Sequence, residues 1–94
     1  MFDATIPGEG QIQLSGRFDA AQVEKARAVF DLVKAHTVVD FAHLDYISSA
    51  GLGILLMTQR RLRESGTGLK LINMNKHIRD VFQYAGFDKI FEIA

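Results

Sequence analysis

Two adjacent hydroxyls followed by two glycines, Ser48-Ser49-Ala50-Gly51-Leu52-Gly53, come straight after a mostly apolar, strand-like run from Thr37 to Ile47. An apolar run with helical spacing follows them, so the serines sit at a predicted helix start. Backbone N–H groups point outward there, and an oxygen able to carry an anionic group is favoured. Gly51 and Gly53 would keep the surface around that oxygen low, as a site pressed closely by another protein requires. As helical residues they cost about 1 kcal/mol each relative to alanine, a loss that close approach would explain. The bland reading is an N-cap, worth ~1 kcal/mol, since serine is a preferred residue there. That reading accounts for one serine and not for the whole hexapeptide.

Other chemistries find little support in the residues. Gly51-Leu52-Gly53 lacks the third glycine of a dinucleotide loop, and no Gly-Lys-Ser/Thr follows it. The Gly-x-Ser-x-Gly turn of serine hydrolases is missing, with Tyr46 and Ile47 standing where its first glycine would fall. A serine nucleophile needs a base, and His36, His43 and His77 are scattered among a predicted helix end, a loop and a helix start. Their irregular spacing also makes a poor metal site, so neither a metal nor a cofactor is expected. Arg60, Arg61 and Arg63 read as a solvated helix face, an anion or partner contact being the other reading. Met57 and Met74 read as core filler.

The elements that must position the serines follow from periodicity. Phe2, Ala4 and Ile6 alternate, Pro7-Gly8-Glu9-Gly10 supplies a turn, and Ile12 and Leu14 alternate again, predicting a β-hairpin that Gly16 ends. Asp19 reads as an N-cap with Gln22 in a capping-box position, opening a helix through Val23, Ala26, Phe30 and Val33 to about Lys34. Val38, Val39 and Phe41, without alternation, predict a strand covered on both faces. Leu52, Leu55, Leu56 and Leu62 mark a second helix ending near Ser65-Gly66, and Leu69 to Ile72 a further strand. Asn75 caps a third helix whose inner stripe is Ile78, Val81, Phe82 and Ala85. Gly86 then takes the left-handed position, Phe87 folds back, and Ile90 to Ile93 form a last strand. The order β-β-α-β-α-β-α-β predicts an α/β fold: a small mixed, largely parallel sheet packed with three to four helices, in one domain over residues 1–94.

Composition narrows the function classes. Eleven basic and eleven acidic side chains cancel, so no direct nucleic-acid partner is expected. The absence of cysteine excludes disulfides and thiolate metal sites and fits a reducing cytoplasm. Met1 to Ile6 has no basic n-region, and the apolar runs are far shorter than the ~20 residues of a membrane span, so neither a signal peptide nor a membrane is expected.

Several segments together resemble a known family. Ile12-x-Leu14-Ser15-Gly16-Arg17-Phe18-Asp19, Val38-Val39-Asp40-Phe41 and Tyr46-Ile47-Ser48-Ser49-Ala50-Gly51-Leu52-Gly53 are similar to the bacterial anti-sigma factor antagonists, single-domain STAS proteins. So are Leu69-Lys70-Leu71-Ile72-Asn73 and Phe82-x-x-Ala85-Gly86-Phe87, and the likeness runs from about residue 10 to the end. The resemblance implies binding to an anti-sigma factor that is itself a serine kinase of the histidine-kinase-like ATPase type. Phosphorylation of the antagonist would break that complex and a PP2C-type phosphatase would restore it, regulating transcription without any catalysis by this chain. It places the phosphorylated residue at Ser49, with Ser48 as the alternative, and the partner surface at Asp19, Ser48, Ala50, Gly51 and Gly53. The family usually carries aspartate where this chain has Ser48. That departure keeps a second expectation open: a STAS adaptor that is never phosphorylated, in a lipid-transport or signalling assembly.

Overall fold

The computed structural model describes residues 1–94. Five strands form one sheet in sequential order: β1 (Asp3–Thr5), β2 (Gln11–Phe18), β3 (Thr37–Ile47), β4 (Leu69–Ile72) and β5 (Glu92–Ile93). β1 runs antiparallel to β2, pairing Ala4 with Leu14, and the other pairs are parallel. The crossovers carry α1 (Val23–Phe30), α2 (Ser49–Glu64) and α3 (Lys76–Tyr84), with single 3-10 turns at Ala20–Gln22 and Phe87–Lys89. Parallel strands laid down in sequential order with right-handed crossovers place every helix on the same face of the sheet. The expected fold class is therefore the one observed.

That face holds the core. Ile12, Leu14, Val39, Phe41, Leu69 and Leu71 of the sheet meet Ala26, Phe30, Leu55, Leu62, Ile78 and Phe82 of the helices in one buried cluster. The opposite face has no helix over it. Val38, Asp40 and Ile72 are half-buried there and Gln11 is exposed, so the strand expected to be covered on both faces is covered on one.

The alternation of β3 is hidden by its own irregularities. Between Gln13/Ser15 of β2 and Asp40/His43 of β3 the longer strand gains a residue, and it gains another between Gly16/Arg17 and Leu44/Tyr46. Each bulge resets the side-chain phase. Val39, Phe41, Leu44 and Ile47 all point inward as a result, although the last three are spaced by three. His43 lies in this strand, not in a loop, and is exposed.

Other expectations change at element ends. Gly16 does not end β2, which continues to Phe18; it holds φ +79°, and a Cβ there would lie 1.8 Å from the Met1 carbonyl oxygen. Only glycine combines that dihedral with that approach. β1 stops at Thr5, leaving Ile6 half exposed. α1 stops at Phe30, and Val33 reaches the core from a tight turn in which its N–H donates to the Phe30 carbonyl at 3.1 Å. Asp19 caps the 3-10 turn, its Oδ1 accepting from Ala21 N–H at 3.1 Å, and Gln22 makes no capping bond. Met74 is buried as expected, but Met57 is 61% exposed, Leu56 half-buried and Ala85 exposed. The caps of the third helix match their reading: Asn75 Oδ1 accepts from Ile78 N–H at 2.8 Å, Gly86 is left-handed, and the Phe87 ring meets Phe82 edge-on at 6.3 Å.

Candidate functional site: the start of the second helix

The site is built where β2 and β3 end together. Their register pairs Phe18 with Ile47, and the Ser48 N–H donates to the Phe18 carbonyl at 2.8 Å. Asp19 and Ser48 therefore leave the sheet side by side. Just below them, on the helix-free face, the Arg17 guanidinium lies 4.2 Å from the centre of the Tyr46 ring. Such a stack restrains a side chain that would otherwise sample many rotamers.

The two serines have different tasks. Ser48 is extended, at φ −90° and ψ 173°, and its Oγ accepts from Gly51 N–H at 3.3 Å; its carbonyl accepts from Leu52 N–H at 2.9 Å. It is the N-cap of α2. Ser49 is the first helical residue and is exposed, while Ser48 and Ala50 are half-buried. The cap leaves the N–H groups of Ser49 and Ala50 as the unpaired donors of this helix end.

The two glycines also differ. Gly51 is buried, and a Cβ there would fall 2.8 Å from Ile47 Cγ1 and 3.1 Å from Phe18 Cγ. Its small size serves the close seating of α2 on the ends of β2 and β3, which is a reason internal to the chain. Gly53 faces the other way: a Cβ there would meet nothing within 4 Å. Of the two, only Gly53 lowers the outer surface.

The remaining sequence candidates are dispersed. His36 Nδ1 lies 2.9 Å from the Gly68 carbonyl oxygen, His43 is on β3, and His77 begins α3. No group of three or more His, Cys, Asp or Glu side chains converges as a metal site would require. The largest surface cavity, about 430 Å³, lies beyond the far end of α2 between Arg63, Gly68 and Lys89. Sequential strand order gives the sheet no switch point, hence no crevice at its carboxyl edge where a small substrate would sit. Near Ser49 the molecule offers a surface.

The arginine cluster dissolves into separate roles. Arg61 donates to the carbonyls of Phe30 (2.9 Å) and Val33, closing the C-terminal end of α1. Arg63 donates to the Ile90 carbonyl at 3.3 Å, and Arg60 alone stays free in solvent. Sequence reasoning missed Gln59. It is buried, its Nε2 donates to the Ile90 carbonyl at 2.8 Å, and its Oε1 accepts from Leu69 N–H at 2.7 Å. The signal was present: position 59 falls on the buried stripe of Leu52, Leu55 and Leu62, where an amide must find internal partners.

A small sheet with helices on one face, and a serine presented at the helix start after its central strand, define a class of protein. A family profile described as "Mlab, STAS domain" matches residues 2–92, and the chain belongs to the STAS-domain family. It is 40% identical over 75 residues to BtrV of Bordetella bronchiseptica, assigned as an anti-sigma factor antagonist. That alignment takes in 80% of this chain but only 59% of BtrV. A STAS-domain containing protein of Pseudomonas aeruginosa is 27% identical over 86 residues, 88% of this chain and 85% of that one. Among solved structures, SpoIIAA of Bacillus in its phosphorylated form matches all of the chain and 91% of its own, with TM-score 0.71 and 23% identity. Unphosphorylated SpoIIAA matches all of the chain and 87% of its own, with TM-score 0.70 and 22% identity. A Thermotoga maritima protein, assigned as an anti-sigma factor antagonist, matches 98% of this chain and 84% of its own at TM-score 0.76 and 20% identity. These structural likenesses establish the fold. No helix of the chain is long and apolar enough to cross a membrane.

Proposed function

We propose that this chain is an anti-sigma factor antagonist that binds a serine-kinase anti-sigma factor and is released by phosphorylation of Ser49. The γ-phosphoryl group of ATP passes to Ser49 Oγ, ADP leaves with the kinase, and the hydroxyl proton goes to a base of the kinase. A PP2C-type phosphatase hydrolyses the ester and restores the binding form. The observation that carries the reading is the exposed Ser49 at the head of α2, next to the Ser48 that leaves the sheet beside Asp19 and is occupied as the cap. Likeness to BtrV supports the class of partner.

Electrostatics explains how one phosphate exchanges partners. It adds about −1.5 to −2 charges and three acceptor oxygens. Within the chain the helix start favours an anion by ~0.3–1 kcal/mol. Across an interface the same dianion is buried against a close neighbour, and an uncompensated charge there costs ~2–5 kcal/mol. The sign differs between the free chain and the complex, so the switch needs no change of fold.

One observation favours a second reading. The matching family profile carries the MlaB description, and Ser48 stands where an aspartate is expected. A STAS adaptor in a lipid-transport assembly would share this fold and would hold its partner permanently. Capture from native cells with wild-type and Ser49→Ala baits separates the two. The switch reading expects magnesium and ATP to release the kinase from wild type and to leave it on Ser49→Ala. An adaptor complex would be insensitive to ATP with both baits.

A further inference from the structure

The largest surface cavity of the chain gathers cations whose charge the chain itself does not answer. It measures about 430 Å³ and opens past the end of α2, between the turn before β4 and the 3-10 turn before β5. That size falls within the range of small-ligand sites. Arg63 and Lys89 both line it, and the bond from Arg63 Nη2 to the Ile90 carbonyl sets the guanidinium beside the residue that follows Lys89. Neither cation takes part in the three ion pairs of the chain. Glu92 is the one carboxylate of the lining, and Lys70, from outside the cavity, faces it at 3.9 Å. Glu64 and Asp88, the sequence neighbours of the two cations, do not line the cavity. The end of α2 presents no bare carbonyl there either: those of Leu62 and Arg63 accept from the N–H groups of Ser65, Gly66 and Thr67. Charge therefore selects an anion.

We propose that this cavity binds a small phosphate ester of a polyol, with the phosphate held between Arg63 and Lys89. Arg63 donates one N–H to Ile90 and keeps the rest of its fork, and a fork plus an ammonium suits the several oxygens of a phosphate. The rest of the lining suits hydroxyls. Thr67 and the Glu92 carboxylate line the same space. His36 Nδ1 is engaged with the Gly68 carbonyl at 2.9 Å, which leaves Nε2 as an acceptor in the neutral ring. A nucleotide fits less well. Phe91, the one phenyl ring of the lining, is 5% exposed and gives a base no face to stack on. The inference is independent of the Ser49 switch, which lies at the other end of α2.

The test is an amide NMR titration of the full chain at fixed ionic strength with glycerol phosphate, inorganic phosphate, glycerol and adenosine monophosphate. The amides of Gly66, Thr67 and Gly68 report on the cavity, and those of Ser49 and Ala50 on the start of α2. The expected result is a saturable shift at the first three, tighter for glycerol phosphate than for inorganic phosphate and absent with glycerol. Lys89→Gln removes an exposed side chain and should weaken binding about tenfold or more, the worth of a charged hydrogen bond. Arg60→Gln, on the same helix but outside the cavity, should leave it unchanged. No saturable shift, a shift centred on Ser49 and Ala50, or unchanged affinity in Lys89→Gln would overturn the site. Tighter binding of adenosine monophosphate than of glycerol phosphate would overturn the class of ligand. Vesicles of phosphatidylglycerol separate a free ester from a lipid headgroup: a chain that sediments with them through Lys89 and ignores the free ester would also contradict the proposal.

Discussion

The two ends of α2 differ in composition, small residues at one and arginines at the other, and each behaves against its type. At the C-terminal end the polar residues turn inward: Gln59 joins β4 to the Ile90 carbonyl, Arg61 closes α1, and Arg63 reaches Ile90. At the N-terminal end two small residues, Ser49 and Gly53, turn outward and are committed to nothing inside the chain. A cluster of arginines invites a binding role and here is largely structural. A pair of small residues invites a structural role and here, in Ser49 and Gly53, leaves a surface clear. Residue type alone does not say which end is free for a partner; the accounting of internal bonds says which side chains are already committed.

That contrast can be broken at either end. The largest effect is expected from phosphate on Ser49. A uniformly phosphorylated chain should lose about 2–5 kcal/mol of affinity for its kinase, roughly 30- to several-thousand-fold, with an unchanged circular dichroism spectrum. Titration calorimetry checks the first quantity, and retained affinity would remove the switch. Next comes Gln59→Leu, which strands the Leu69 N–H in the interior and leaves the Ile90 carbonyl with its Arg63 bond alone. A stranded group costs about 1–3 kcal/mol, so the urea midpoint should fall markedly while partner binding by the folded fraction is kept. Gly51→Ala should cost about 1–3 kcal/mol, because the new methyl overlaps Ile47 and Phe18.

The smallest effect is the most diagnostic. Gly53→Ala should stabilise the free chain by about 0.8–1 kcal/mol in urea unfolding, since the helix gains propensity and the methyl meets open space. The same substitution should weaken partner binding. Two glycines of one helix, separated by a single residue, thus carry opposite predicted signs of stability change, and equal signs would undo the distinction drawn between them.

Much of this was legible in the chain itself. Periodicity located α2, α3 and β4, Asn75 announced its cap, and the serine pair announced the start of α2, because each of these is a local pattern. What stayed hidden depends on contacts across the sequence. The bulges of β3 exist only against β2, and without them Val39, Phe41, Leu44 and Ile47 show no common period. Arg61 meets the Phe30 carbonyl, and Gln59 the Ile90 carbonyl, over 31 residues of chain in each case. The exposure of Met57 follows from the angle at which α2 lies on the sheet, which its own residues do not specify. Gly51 and Gly53 are identical on paper and separate only once Phe18 and Ile47 are in place.

The central claim is that Ser49, and not Ser48, is the switch. Phosphosite mapping by mass spectrometry on the chain recovered from its native cells, in growth and under stress, tests it most directly. The account predicts phosphate on Ser49 whose occupancy rises and falls with condition, and Ser48 unmodified because its hydroxyl is held in the cap. Phosphate on Ser48, or on neither serine under any condition, would contradict it.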